Sequence, residues 1–342
     1  MRSPNRVRSD GLSISAQHGS SVGLVLKDSM KILAICIVKD EADIFLDTMN
    51  SALKWCDHIF IYDNGSRDGT QEIISSLVRS FPAKVLLYPH SADIPFSSEL
   101  RGEVFSYYKE FSKIGDWWCR LDADEFYIDD PAVFLSAVPQ QFEQVWGSSF
   151  QYYFTDEDLP VYLQDPVRFN QVPVQDRLRY YRNNWSELRF VRHAKHTLWD
   201  GHADWPYKLG GIYPKRIRLK HFQYRSPEQI VSRYRIRRPA IQSGKFVHER
   251  LHSPVGNSAG NAGRIVADEK TASADGYDWT SHLAKASELH YDKHDGNYIA
   301  EEGSLPLLCY SRARAYLNPN IIKSIVLAKR CIKSVLRSRR HT

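Results

Sequence analysis

Several things are missing from this sequence, and each absence excludes something. There is no Cys-x-x-Cys pair, and the five cysteines (Cys36, Cys56, Cys119, Cys309, Cys331) are odd in number and widely scattered. That pattern excludes a disulfide framework and points to a reducing compartment. No run approaches the roughly 20 apolar residues needed to span a bilayer, and the N-terminus lacks the apolar core of a secretory leader. The expectation is a cytoplasmic protein. No internal repeat is visible. From Asn320 onward there is no acid at all, against seven bases (Lys323, Lys329, Arg330, Lys333, Arg337, Arg339, Arg340). The formal charge of +6 less those seven leaves −1 for everything before them. A near-neutral body argues against a broad nucleic-acid-binding surface, so no nucleic-acid partner is expected.

What is present describes an ordinary globular chain. It has 342 residues, 42% hydrophobic and 25% charged, enough for a sizeable core. Residues 1–29, rich in Ser, Gly and Arg, read as an N-terminal arm. Lys31 to Val38 ("KILAICIV") is a continuous apolar run of the kind that forms a strand covered on both faces. A helix should follow, burying Phe45, Leu46, Met49, Ala52 and Leu53. His58 to Asp63 reads as the second strand, and a helix starting near Gly69 should turn Ile73, Ile74, Leu77 and Val78 inward. Lys84 to Tyr88 is the third strand, residues 98–113 look helical, and "WWCRL" (Trp117 to Leu121) is the fourth strand. Strands alternating with helices imply an α/β fold with a mostly parallel sheet and helices on both faces. The division expected is 1–29 arm, 30–130 first half, 131–302 a second half of mixed strands and loops, and 303–342 a basic tail.

Ligands of such sheets bind beyond the carboxyl ends of the strands. Acids gather there: Asp40 and Glu41 after the first strand, Asp63 after the second, Asp122, Asp124 and Glu125 after the fourth. Burying unpaired carboxylates costs several kcal/mol, so the last group calls for a compensating cation. Mg²⁺ or Mn²⁺ suits oxygen ligands shared with substrate phosphates.

In order, "ICIVKDEADIF", "IFIYDNGSRDGTQEI" and "WWCRLDADEFY" resemble the nucleotide-sugar half of family 2 glycosyltransferases of GT-A fold, bacterial type with a DxDE motif. The later "LKHFQYRSPEQIVSRYRIRR" is similar to a segment of bacterial members. The resemblance covers about residues 31–130, is patchy over 185–240, and is absent elsewhere. It implies transfer of a hexose from a nucleotide diphosphate donor, UDP-linked by preference, with inversion at the anomeric carbon. The acceptor would be a saccharide or glycolipid, in surface polysaccharide synthesis. By the same similarity Asp63 matches the acid that binds the base, although Asn64 stands where a second acid is usual. Asp122 matches the acid near ribose and metal, and Asp124 the principal ligand of Mn²⁺ or Mg²⁺. His221 matches a late histidine that completes the metal site. Glu41 lies at the donor edge, and Arg101 is placed to reach a phosphate.

An inverting transfer needs a base for the acceptor proton. Glu187, Asp200 and Asp204 are the candidates. Asp204 is preferred because Trp205 and Tyr207 beside it offer stacking surfaces for a sugar. His193, His196 and His202 invite a zinc reading, but cysteine partners and a His-Glu-x-x-His pattern are both missing. One alternative function is a nucleotidyltransferase, disfavoured because the turn "VKDEAD" has no glycine to cradle a triphosphate. Another is a non-catalytic membrane-associated protein working through its tail. In that tail Ile321, Ile325, Ala328, Ile332 and Val335 form an apolar stripe bordered by bases, the pattern of a helix lying on an anionic membrane surface. Such a tail would make the protein peripheral on the inner face of the plasma membrane.

Overall fold

The computed structural model describes residues 30–89, 100–199, 205–207, 209–242 and 279–300. The arm, the tail, Asp200, His202, Asp204 and the Gly- and Ser-rich stretch from Ser253 to Gly263 lie outside them.

Strand β1 (Ile32–Val38) is buried along its whole length. Alternation along a strand splits it between two layers. Ile32, Ala34, Cys36 and Val38 face a core shared with Phe45, Met49, Ile74 and Leu77. Leu33, Ile35 and Ile37 face a second core with Leu100, Val104, Phe105 and Tyr108. The first group comes from α1 (Phe45–Ala52) and α2 (Thr70–Ser80), the second from α3 (Leu100–Tyr108). Helices therefore cover both faces, as a continuously apolar strand requires.

β2 (His58–Asp63), β3 (Val85–Leu87) and β4 (Trp117–Leu121) complete an all-parallel quartet in the order β3-β2-β1-β4. Then the direction changes. β7 (Tyr180–Arg192) runs antiparallel to β4, β6 (Phe142–Tyr153) antiparallel to β7, and β9 (Ile217–Tyr224) parallel to β6. β5 (Glu125–Tyr127) closes the path antiparallel to β9, while β8 (Gly211–Ile212) and β10 (His290–Tyr291) append to β6 and β7. The α/β class, with a helix-flanked parallel half and a mixed second half, is the one expected. Small helices α4 (Pro131–Ser136), α5 (Asp158–Gln164), α6 (Pro166–Gln171) and α7 (Val174–Arg177) decorate the second half, and α8 (Pro227–Gln242) follows β9.

β4 and β5 are consecutive in sequence but four places apart in the sheet order. Only a curled sheet allows the three residues Asp122, Ala123 and Asp124 to join them. That turn is held from below, where the Thr48 hydroxyl on α1 donates to the Ala123 carbonyl at 2.7 Å. The same contact explains a departure from the expected helix face. Phe45, Thr48, Met49 and Ala52 are buried at i, i+3, i+4 and i+7, whereas Leu46 is 45% exposed and Leu53 only half-buried.

Candidate active site

The site is built on that turn. Pairing of β5 with β9 sets Glu125 opposite His221 and brings the Phe222 amide to the Asp124 carbonyl at 2.9 Å. The His221 Nε2 atom consequently lies 3.3 Å from Asp124 Oδ2. Pairing of β4 with β7 aligns Cys119 with Phe190, which carries Arg189 to the level of the turn. Gly147 on β6 leaves room for that side chain, since a Cβ there would stand 3.0 Å from Arg189 Cγ.

The acids are compensated by protein cations, which corrects the expectation of an unpaired cluster. Asp122 receives Arg101 Nη2 at 2.5 Å, Arg189 Nη1 at 2.9 Å and Arg120 Nε at 3.2 Å. Burial alone would raise its pKa, but three guanidiniums more than offset this and hold it well below the usual carboxylate range. Asp124 has His221 beside it and the guanidiniums of Arg233 and Arg225 at 3.9 and 4.0 Å. Against the cost of burial, they pull its pKa to about 2. For His221, burial opposes the imidazolium, yet Asp124 wins and the pKa stands above the ordinary value. Glu125, buried beside Arg189 at 2.6 Å, is pushed by desolvation up to about 7 despite that cation. Glu41 is likewise raised to about 7 by burial, with Arg225 opposing and Asp124 reinforcing.

Arg225 ties the site together. Fully buried, it reaches Asp43 at 2.7 Å and also Glu41, both in the turn after β1. It sits just before α8, which opens with Ser226 ahead of a proline at the first helical position. The Gln229 amide donates to Ser226 Oγ at 3.3 Å, though Gln229 Oε1 accepts from the Arg225 amide at 3.2 Å in place of the cap residue's own.

A cavity of about 240 Å³ opens over the turn. Glu41, Asp122, Asp124 and His221 line it, together with Arg120, Glu187, Arg189, Arg233 and Arg237. Two of the expected donor-binding residues are not part of this lining. Arg101 is fully buried and committed to Asp122 behind the cavity wall, so in this structure it supports an acid and does not present itself to a phosphate. Asp63, at the end of β2, is buried and accepts from the Ser66 amide at 3.0 Å, closing the turn that follows. Of the three base candidates, Glu187 lines the cavity, and Asp200 and Asp204 fall outside the described residues.

Sequence reasoning missed Arg120, Arg189, Arg225 and Arg233. Arg189 left a faint signal as a charge in the otherwise apolar run "LRFV", and Arg120 lies inside the motif itself.

Among the described residues no group of three or more His, Cys, Asp or Glu side chains converges as a metal cage. Asp124 and His221 nonetheless fit a divalent ion as a pair. Two ligands about 2.1 Å from one hard cation at right angles stand about 3 Å apart, close to the separation found here. Mg²⁺-like ions commonly use one or two protein ligands and complete their shell with phosphate and water.

No protein-family model matches the chain. No curated protein matches it. Partial likeness to solved structures exists. A mannosyltransferase from Pyrobaculum calidifontis in complex with GDP-Man and Mn²⁺ is 11% identical over 65% of this chain and 71% of that one, with a TM-score of 0.33. A fragment of S. aureus TarS in complex with UDP is 15% identical over 36% of each chain, with a TM-score of 0.26. Glucosyl-3-phosphoglycerate synthase from Mycobacterium tuberculosis, in complex with Mn²⁺, UDP and phosphoglyceric acid, is 14% identical over 48% of this chain and 56% of that one, with a TM-score of 0.26. The chain spans about a third of the TarS fragment and about half of the synthase. Overlaps of this size fix neither activity nor substrate.

Proposed function

We infer that this chain is a divalent-metal-dependent glycosyltransferase that moves a hexose from a nucleoside diphosphate donor to a saccharide or glycolipid acceptor with inversion. One observation carries the reading. The cavity lies beyond the carboxyl ends of β1 and β4 and combines an Asp124–His221 pair with a wall of guanidiniums. That combination suits a diphosphate, whose charge rises as the glycosidic bond breaks. Two of the three motifs that resemble family 2 enzymes fall on these strand ends, including the DxDE run from Asp122 to Glu125, and the third ends the neighbouring β2.

In this reading Asp124 and His221 would hold Mn²⁺ or Mg²⁺, which would supply charge neutralisation at the leaving diphosphate. Arg120, Arg189, Arg233 and Arg237 add positive potential along the same wall. Asp122, fixed by three guanidiniums, presents a carboxylate of constant charge to the donor ribose. Asp63 and the turn after it would meet the base, with UDP preferred. The basic tail from Ile321 onward would bring the enzyme to an anionic membrane carrying the acceptor, and surface polysaccharide synthesis is the setting that unites these parts.

The test is a thermal-shift screen of UDP, GDP and their hexose conjugates, with and without Mn²⁺. A ligand that binds only the native state raises the melting temperature with occupancy. A shift that requires both nucleotide and metal is expected. No shift with any nucleotide, or one unaltered by EDTA, overturns the reading or its metal respectively.

A further inference from the structure

We propose that Glu187 is the base that accepts the proton of the incoming hydroxyl, an assignment that rests on the glycosyl-transfer reading above. Of the five acids lining the cavity, four are already engaged closely, Asp40 by the Arg67 amide at 2.6 Å. Asp122 is clamped by Arg101, Arg120 and Arg189, Asp124 faces His221, and Glu41 is held by the buried Arg225. Glu187 differs. Its side chain is 33% exposed, against 20% for Asp122, 16% for Glu41 and 8% for Asp124.

Its carboxylate is oriented without being consumed. Arg120 Nη1 stands 3.4 Å and Arg189 Nη2 3.2 Å from Glu187 Oε2, while Arg189 makes its closer contacts to Glu125 at 2.6 Å and Asp122 at 2.9 Å. Both guanidiniums belong to β4 and β7, whose ordered strands fix their reach. Glu187 is thus a carboxylate held through Oε2 by two shared cations at the cavity lining.

Inversion requires the base and the leaving diphosphate on opposite faces of the sugar, so the base must come from a different element than the metal ligands. Asp124 lies in the turn before β5 and His221 on β9, whereas Glu187 comes from β7. In the step, the acceptor O–H bond breaks and its proton passes to the Glu187 carboxylate. The acceptor oxygen forms the new bond to the anomeric carbon. The bond from that carbon to the diphosphate oxygen breaks, and its electron pair leaves with the nucleoside diphosphate.

The experiment uses the full chain, Mn²⁺, and a set of UDP- and GDP-hexoses with water as acceptor, reading nucleotide release across pH alongside UDP and GDP thermal shifts. Glu187→Gln should lower release roughly 10²- to 10⁴-fold and flatten the acidic limb of its pH profile, with the nucleotide thermal shift kept. Glu187→Asp should recover part of the rate. Release by Glu187→Gln at the wild-type rate, or loss of its nucleotide shift in step with its rate, overturns the assignment. If the wild-type chain neither shifts nor releases nucleotide, the glycosyl-transfer reading fails and the base falls with it.

Discussion

Three carboxylates within four residues, Asp122, Asp124 and Glu125, end in three different electrostatic states because each meets different cations. Asp124 serves the cavity, so Asp124→Asn should abolish transfer and metal-dependent nucleotide binding. Near wild-type turnover in that variant would remove the metal assignment. His221→Ala should weaken Mn²⁺ affinity roughly 10- to 100-fold, read by calorimetry in the presence of UDP. Unchanged affinity with lowered stability would make the histidine a structural one. Arg189 has the opposite character. It is almost fully buried and bridges Asp122 and Glu125, so Arg189→Met strands carboxylates that have lost their partner. A loss of roughly 3–5 kcal/mol in urea-unfolding free energy is expected, the scale of a broken buried pair. A loss below about 1 kcal/mol would show that Arg101 and Arg120 suffice.

At the scale of elements, the second half is fastened by one buried carboxylate. Asp292, just after β10, accepts from Lys220 Nζ on β9 at 2.8 Å and from the Tyr152 hydroxyl on β6, and its own amide bonds the Arg179 carbonyl at 2.7 Å. Although burial alone would raise its pKa, the bonds from Lys220 and Tyr152 bring it down to about 2. Because the folded pKa is depressed, its contribution is complete above the unfolded value near 4 and disappears as pH falls toward 2. Asp292→Asn should therefore cost about 2 kcal/mol at neutral pH, and the gap to wild type should close between about pH 4 and pH 2. A gap independent of pH would mean that packing, not charge, fastens β10. α8 is pinned in the same manner at its start, where Arg225 ties the helix that carries Arg233 and Arg237 to the turn after β1.

For the whole molecule, no helix among the described residues is long and apolar enough to cross a membrane. In the proposed reading, attachment to an anionic bilayer is through the basic tail, at about 1 kcal/mol per base near the surface. The full chain should sediment with anionic liposomes at low salt and less at high salt, while a truncation ending at Pro319 should stay in solution. Equal sedimentation of the two ends the membrane reading.

The parallel half was legible from the sequence. Its strands are buried on both faces, so local composition states their structure: β2 and β4 fall on the expected residues, and β1 and α2 within one residue of theirs. The acids at the strand ends follow from that topology, since parallel strands bring their carboxyl termini to one edge. The arginines were not legible. Arg189 and Arg225 lie 67 and 103 residues after Asp122, and nothing local distinguishes them from surface bases. Only the curl of the sheet, returning β9 to β5 and laying β7 on β4, converts those separations into contacts of a few ångströms. The sequence by itself thus determined that acids end the parallel strands at one edge, through burial along single strands; Asp40, Glu41, Asp122 and Asp124 line the cavity there and Asp63 does not. The tertiary structure decided which cations meet them, because charge pairing depends on distance in space and not along the chain.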